Sequence, residues 1–556
     1  MSRKKQGFVG GALILMLSNV IVKIVGALFK IPLKNVIGAT AMGYFGTAYS
    51  VYSMFFLIST AGLPVAISRM IAAAKAKGKA REVERIYRVS LIIFMTIGAI
   101  GTAILFFGAK TIASFPGEPE VALCLRTIAP IMFFICVASC VRGYFQGLQN
   151  MTPTAVSQVV EVMGNLCIGL TLGVWATKRG YRPAEVASFV LAGVTIGVIL
   201  SALYLFFAKT VARRDKETGL LENEDVRSGK ALARELIRIA IPITLSASVL
   251  SLNSVIDSMV AVGRMKAVGV GLGYLRAAMA EEEVAISIYG AYTAQAVTLF
   301  NMPPTITYPF AISIIPAISS ALSSGNKEGL RKTMDFTFRI VAVICLPLAV
   351  GMGVMSRPIM DLLFRNEDLF ETASGVVSSN AIAAAMLTIL SVAILFSGLV
   401  SVSGAMLQAY GHEKKSIIST SLGVLSKFVS VYLFVGVPAI GAYGIPLSTL
   451  TCYLIMFGFN MFFLVKFVGY RFSIRKVLLR PLIAAALCGL FAMGGYLTLK
   501  LAVSPRIATV AGIVLGAVVY VVSLFLVRGF EKDDVLQLPK GEKILKVLVK
   551  LRLVKA

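Results

Sequence analysis

Charge is scarce in this chain, and acid is scarcer than base. Only 15% of its 556 residues are charged, and 27 Asp and Glu stand against 54 Lys and Arg. A soluble domain carries about 25% charged residues, so a water-soluble enzyme is largely excluded. There is one histidine, His412. Histidine is the usual base near neutral pH and a common metal ligand, so most hydrolase and metalloenzyme readings fall away; no catalytic residue, metal or cofactor is expected. The seven cysteines (124, 136, 140, 167, 345, 452, 488) form no CxxC. Cys136 and Cys140 are i,i+4 neighbours, and the set reads as small buried hydrophobes. No Walker A motif, nucleotide-binding domain or sizeable soluble domain occurs, so any energy input comes from an ion gradient, the membrane potential or the substrate's own gradient.

What is present in abundance is apolar. Hydrophobic residues make up 57% of the chain, and mean hydropathy is +0.85. Stretches of about 20 apolar residues are long enough to cross a bilayer. They fall near 9–33, 43–68, 88–110, 122–146, 155–177, 185–208, 237–262, 285–320, 338–356, 377–408, 416–436, 440–465, 479–500 and 507–528. The expected fold is an all-α polytopic membrane protein of about fourteen helices. The start, Met-Ser-Arg-Lys-Lys before a long apolar run, reads as an uncleaved first span. With that end inside, the segments placed inside hold roughly three times the lysine and arginine of those placed outside, which puts both termini in the cytoplasm. The Lys178, Arg179 and Arg182 loop runs against this trend. The net charge of +27 then reflects cytoplasmic loops first, an anionic substrate second, or both, and not nucleic acid. The tail from Glu542 to Lys555 alternates leucine, isoleucine and valine with lysine and arginine, which suits an amphipathic helix on an anionic leaflet or a frayed basic tail.

The two halves resemble each other. "NVIVK" (Asn19–Lys23) with Lys30 answers "NSVID" (Asn253–Asp257) with Arg264. "PVAIS" from Pro64 answers "PAISS" from Pro316, and "VRGYFQGLQN" from Val141 answers "VSGAMLQAYG" from Val402. Three matches in one order imply a six-helix unit used twice: an N-lobe over 1–209, a cytoplasmic linker over 210–236 and a C-lobe over 237–467. Helices 13–14 follow over 468–530, then the basic tail over 531–556. Two such copies flanking a central cavity are a transporter architecture.

A charge at membrane depth is costly and faces a cavity or a partner. Asn19, Lys23, Gly26 and Lys30 recur at i, i+4, i+7 and i+11, one helical stripe. It reads as a cavity wall binding a phosphate or diphosphate, or as Lys30 snorkelling while Lys23 pairs with Asp257 or Glu161. Arg69 and Arg126 reach the interface or the cavity. Arg142 reads as a cytoplasmic gate or a positive-inside anchor. Glu161 and Asn165 on helix 5, with Arg69 and Arg142, gate the cavity or support its lining, and Asp257 on helix 7 and Lys427 on helix 11 are coupling or ion-pair positions.

The stretches "RGYFQGLQNMTPTAVSQVVE" (Arg142–Glu161), "SNVIVKIVGALFKIPLKNVIGA" (Ser18–Ala39) and "GLPVAISRMIA" (Gly62–Ala72) resemble the polysaccharide-biosynthesis/stage V sporulation protein B group, the YtgP-type relatives of the MurJ lipid II flippases in the MOP superfamily. The resemblance covers nearly the whole chain. It implies transport of a polyprenyl-diphosphate-linked oligosaccharide, lipid II foremost, from inner to outer leaflet, with a tail groove on helices 13 and 14. It also implies basic cavity residues on helices 1, 2 and 8. Lys23 matches the first, and Lys30 lies within one position of the second. Tyr292–Pro304 on helix 8 carries no base and Arg69 lies near the inner end of helix 2, so the diphosphate site rests on helix 1. Some relatives hold sodium between helices 7 and 11; Asp257 would supply the carboxylate there, and Lys427 disfavours a metal. A functional monomer is expected, with membrane lipids and the lipid-linked anionic glycan as partners. The alternatives are a MATE-type drug/cation antiporter, which wants an acidic and aromatic cavity; another cell-surface polysaccharide-lipid exporter; and a polytopic glycosyltransferase, which wants acids in a large outer loop.

Overall fold

In the computed structural model, residues 8–60, 62–115, 117–214, 227–268, 281–307, 327–365, 368–372, 375–470 and 475–527 are described, with Ile318 and Gly529. Contacts divide the chain into two compact units, 1–294 and 295–556. Among the described residues the fold is helical apart from one two-stranded hairpin, and ten helices are long and apolar enough to span a membrane. These ten coincide with ten of the fourteen stretches expected from hydropathy. The other four, 9–33, 43–68, 237–262 and 285–320, run through α1, α2, α10 and α12, where whole segments or many side chains lie outside the described residues.

The first unit opens with α1 (Phe8–Thr60), whose 53 residues include Pro32. A straight helix of that length would run about 80 Å, far beyond a hydrocarbon core of about 30 Å. Gly38, at φ 78° and ψ 176°, breaks the helical path. Only glycine takes that left-handed backbone at little cost, so one residue replaces the loop expected between the stretches 9–33 and 43–68. After α1 come α2 (Leu63–Ala76), α3 (Ala80–Phe107), α4 (Ala109–Ser114), α5 (Val121–Ile128) and α6 (Ile131–Gly147). Then follow α7 (Thr152–Gly164), α8 (Leu170–Lys178), α9 (Pro183–Arg214), α10 (Gly229–Val255), α11 (Val262–Ala267) and α12 (Glu281–Ala291).

The glycines of "RGYFQG" serve packing. A Cβ at Gly143 would lie 2.9 Å from the Pro64 carbonyl oxygen, and one at Gly147 would lie 2.7 Å from the Ile71 Cβ. Small residues let α6 press against α2, as at other membrane helix crossings. Ile67, Ile71, Ile86, Phe94, Cys136, Cys140 and Phe145 form the core of that crossing. Six of the seven cysteines are buried and all are free; Cys167 is exposed. Ion pairs fasten both ends of the segment from α10 to α11. At one end Arg227 pairs with Glu82 at 2.6 Å and with Glu235. At the other, Lys266 pairs with Glu118 at 3.0 Å and donates to the Gly117 carbonyl at 2.7 Å.

The second unit begins at Gln295 and includes α13 (Val297–Phe300), α14 (Lys327–Val354) and α15 (Ser356–Leu363). Strand β1 (Leu369–Thr372) pairs antiparallel with β2 (Gly375–Ser378), Leu369 opposite Ser378. Helices α16 (Ser379–Ala409), α17 (Glu413–Gly436), α18 (Gly444–Phe463), α19 (Arg480–Leu499) and α20 (Pro505–Leu526) complete it. Ser378 caps α16 by accepting from the Ala381 N–H. Tyr520 ties α20 to α14 by donating to the Val343 carbonyl at 2.6 Å. The expected amphipathic tail helix at 542–555 lies outside the described residues.

Candidate functional site

The basic stripe sits on α1. Asn19 and Lys23 belong to its helical backbone, but their side chains lie outside what the structure describes. Lys30 is partly buried. Lys34, one turn further on, is fully buried, at 0% exposure, and engaged with neighbouring groups. The hydropathy pattern places Lys34 in a loop between the stretches 9–33 and 43–68. The corner at Gly38 removes that loop, so the lysine stays inside the helix. It stands at i+4 from Lys30 and i+11 from Lys23, so it continues the stripe. Burying an ammonium costs several kcal/mol unless neighbours compensate, and Lys34 is engaged with groups that can do so.

Arg142 and Glu161 are brought together. Arg142 Nη2 lies 2.8 Å from Glu161 Oε2, with side-chain exposures of 11% and 22%. The same guanidinium donates from Nε to Ser157 Oγ and from Nη2 to Ser201 Oγ, each at 3.0 Å. The Ser157 hydroxyl in turn donates to the Thr154 carbonyl at 2.7 Å. One fixed fork of donors thereby stitches α6, α7 and α9. Tyr49 and Tyr52 of α1 lie within electrostatic reach of Glu161. Asn165 follows Glu161 by one turn and opens a π-helical segment, Asn165–Gly169.

Asp257 occupies a second π-helical segment, Ile256–Ala261, and is 7% exposed. Tyr292 Oη lies 3.5 Å from Asp257 Oδ2. Tyr292 opens a third such segment, Tyr292–Ala296. Tyr289 hydrogen-bonds with the hydroxyls of Ser50 and Ser258 beside Asp257. Tyr49 and Tyr52 of α1 thus lie near Glu161 of α7, while Ser50 meets Tyr289, which lies near Asp257. π-helical turns inside α-helices recur at functional sites, and here each acid adjoins or occupies one. Arg69 is exposed on α2. Lys427 is buried on α17, in the second unit, and engaged with neighbouring groups.

Sequence reading did not find Ser157, Ser201, Tyr49, Tyr52, Tyr289 or Tyr292. The hydroxyls lie within apolar runs where serine and tyrosine carry no distinctive signal. Tyr289 and Tyr292 meet Asp257, and Tyr49 and Tyr52 approach Glu161, from positions distant in sequence.

The polysaccharide biosynthesis protein family matches residues 8–322 of the chain. The MatE family matches residues 286–433. Stage V sporulation protein B of Bacillus subtilis is 24% identical over 540 residues, 96% of this chain and 98% of that protein. Lipid II flippase MurJ of Bacillus subtilis is 26% identical over 503 residues, 86% of this chain and 87% of that one. Among solved structures, the inward closed conformation of lipid II flippase MurJ superposes with a TM-score of 0.67 at 15% identity. That match covers 92% of this chain and 98% of the other, and at that identity it shows the fold. The resemblance seen in "RGYFQG" and "GLPVAISRMIA" is therefore borne out, and the chain belongs to the polysaccharide biosynthesis protein family.

Proposed function

We propose that this protein is a flippase for a polyprenyl-diphosphate-linked oligosaccharide, with lipid II as its substrate, carrying it from the inner to the outer leaflet by alternating access. The observation that carries this reading is the lysine stripe of α1, now extended through Lys30 to Lys34. Ammonium groups at membrane depth suit a diphosphate. The names of the relatives, lipid II flippase MurJ and stage V sporulation protein B, support the substrate class. Lys23 and Lys30, with Asn19, hold the diphosphate. Arg142, Glu161 and Asn165 form the scaffold behind the Tyr49 and Tyr52 face of α1. Asp257 competes with the substrate for a cation, and Lys427 is a coupling position of the second unit. Both termini face the cytoplasm, and transport needs no enzymatic step. The test is reconstitution in liposomes, following the protection of fluorescent lipid II from an external quencher. Wild-type flipping by Lys23→Ala, with folding intact, would remove α1 as the diphosphate site.

The MatE match over residues 286–433 favours one second reading, a drug/cation antiporter. Cationic drug efflux by the same liposomes, with lipid II left in place, would select it.

A further inference from the structure

Far along the chain from the α1 stripe, the start of α17 and the end of α18 build a small basic and aromatic patch. Lys415 Nζ lies 4.9 Å from the centroid of the Phe467 ring and 5.5 Å from that of Phe463. Lys466 Nζ approaches the same Phe467 ring at 5.7 Å and Phe462 at 5.6 Å. The His412 ring centroid stands 5.5 Å from that of Phe467. Two ammonium groups and an imidazole are gathered round one ring.

Local backbone explains the arrangement. α18 widens into a π-helical segment, Leu464–Val468, and stops at Gly469 with φ 72°. That segment keeps Phe467 against Phe463, ring centroids 6.0 Å apart, and brings Lys466 under Phe462. Lysine is also favoured at a helix C-terminus by the macrodipole.

Ring faces attract these cations but do not neutralise them. Neither lysine has an ion-pair partner among the described residues; the adjacent acid Glu413 is exposed and pairs with neither. The rings are open to their surroundings: Phe462 is 52% exposed and Phe467 42%. Uncompensated cations beside exposed apolar rings, at the end of a membrane-spanning helix, match a phosphodiester joined to acyl chains. A free phosphate would use the lysines and leave the rings idle. The positive-inside bias assigns this face to the cytoplasm, where anionic lipid attracts basic side chains.

We infer that an anionic phospholipid of the cytoplasmic leaflet binds here, its phosphodiester between Lys415 and Lys466 and its chains along Phe462 and Phe467. The bound lipid would tie the start of α17 to the end of α18. Because it uses no residue of the α1 stripe, it stands apart from the transport reading.

Trp175 is the chain's one tryptophan, which makes a fluorescence test clean. A Trp175→Phe, Phe467→Trp variant places the sole indole in the patch, and Phe462→Trp in the same background repeats the measurement should the first disturb the ring contacts. Each is reconstituted into phosphatidylcholine vesicles containing brominated phosphatidylglycerol or brominated phosphatidylcholine. The expected result is several-fold stronger quenching per mole of brominated phosphatidylglycerol, lost on adding Lys415→Gln and Lys466→Gln. Equal quenching by the two lipids would overturn the site, as would a preference that survives both glutamines. If millimolar inorganic phosphate at constant ionic strength abolished the preference, the site would be one for soluble phosphate and the lipid assignment would fail.

Discussion

Replacing Arg142 by methionine keeps an unbranched apolar stem and removes the guanidinium that joins three helices. Glu161 then keeps its charge at 22% exposure without the cation 2.8 Å away, and Ser157 and Ser201 each lose a donor at 3.0 Å. Removing one partner of a buried pair costs about 3–5 kcal/mol, because the other charge is stranded. The residual exposure of Glu161 favours the lower end, about 3 kcal/mol. For a unit approaching 300 residues, that amounts to a Tm drop of roughly 6 °C, at about 2 °C per kcal/mol. Trp175 lies in the same unit, so its fluorescence in detergent micelles follows the transition. Glu161→Gln neutralises the stranded acid, so the double variant Arg142→Met, Glu161→Gln should recover a good part of the loss, a coupling of about 1–3 kcal/mol. The opposite pattern would refute a structural clamp: an unchanged Tm in Arg142→Met with transport abolished would make Arg142 a gate. Strictly additive losses would show that the contact at 2.8 Å contributes nothing as a pair.

Three further outcomes are expected. Lys23→Ala should abolish lipid II protection in liposomes while leaving membrane insertion and Tm unchanged; a parallel fall in Tm would mark the lysine as structural. Asp257→Asn should slow turnover yet leave lipid II binding equal or tighter, since opposite unit charges about 4 Å apart attract by roughly 4 kcal/mol at an effective dielectric of about 20, and losing that attraction frees the cation for substrate; loss of binding with the fold intact would make Asp257 a direct ligand. Cysteines placed at either terminus should resist membrane-impermeant maleimide in intact cells, and labelling of one end alone would require an odd number of spans.

How much of this could be read in the sequence depends on whether a rule of register exists. The ten described spans were legible because a bilayer demands about 20 apolar residues in succession, whereas the alignment of Asn19, Lys23 and Lys30 on α1 rests on helical period alone. Lys34 was not legible: a loop was expected where Gly38 turns the chain in one residue. The Arg142–Glu161 contact lay within reach. The short connection between α6 and α7 makes them antiparallel neighbours, so residues equidistant from its centre, near 149–150, face one another. That rule sets Arg142 opposite Ser157, its observed partner, with Glu161 one helical turn beyond. Asp257 and its tyrosines obey no such rule, because the chain between them is long and π-helical segments at Ile256–Ala261 and Tyr292–Ala296 shift the register on both sides. A π-helical turn inserts a residue that the α period does not count. Side chains beyond it therefore rotate off the face that sequence spacing assigns them, and the surroundings of a buried acid placed there emerge only from coordinates.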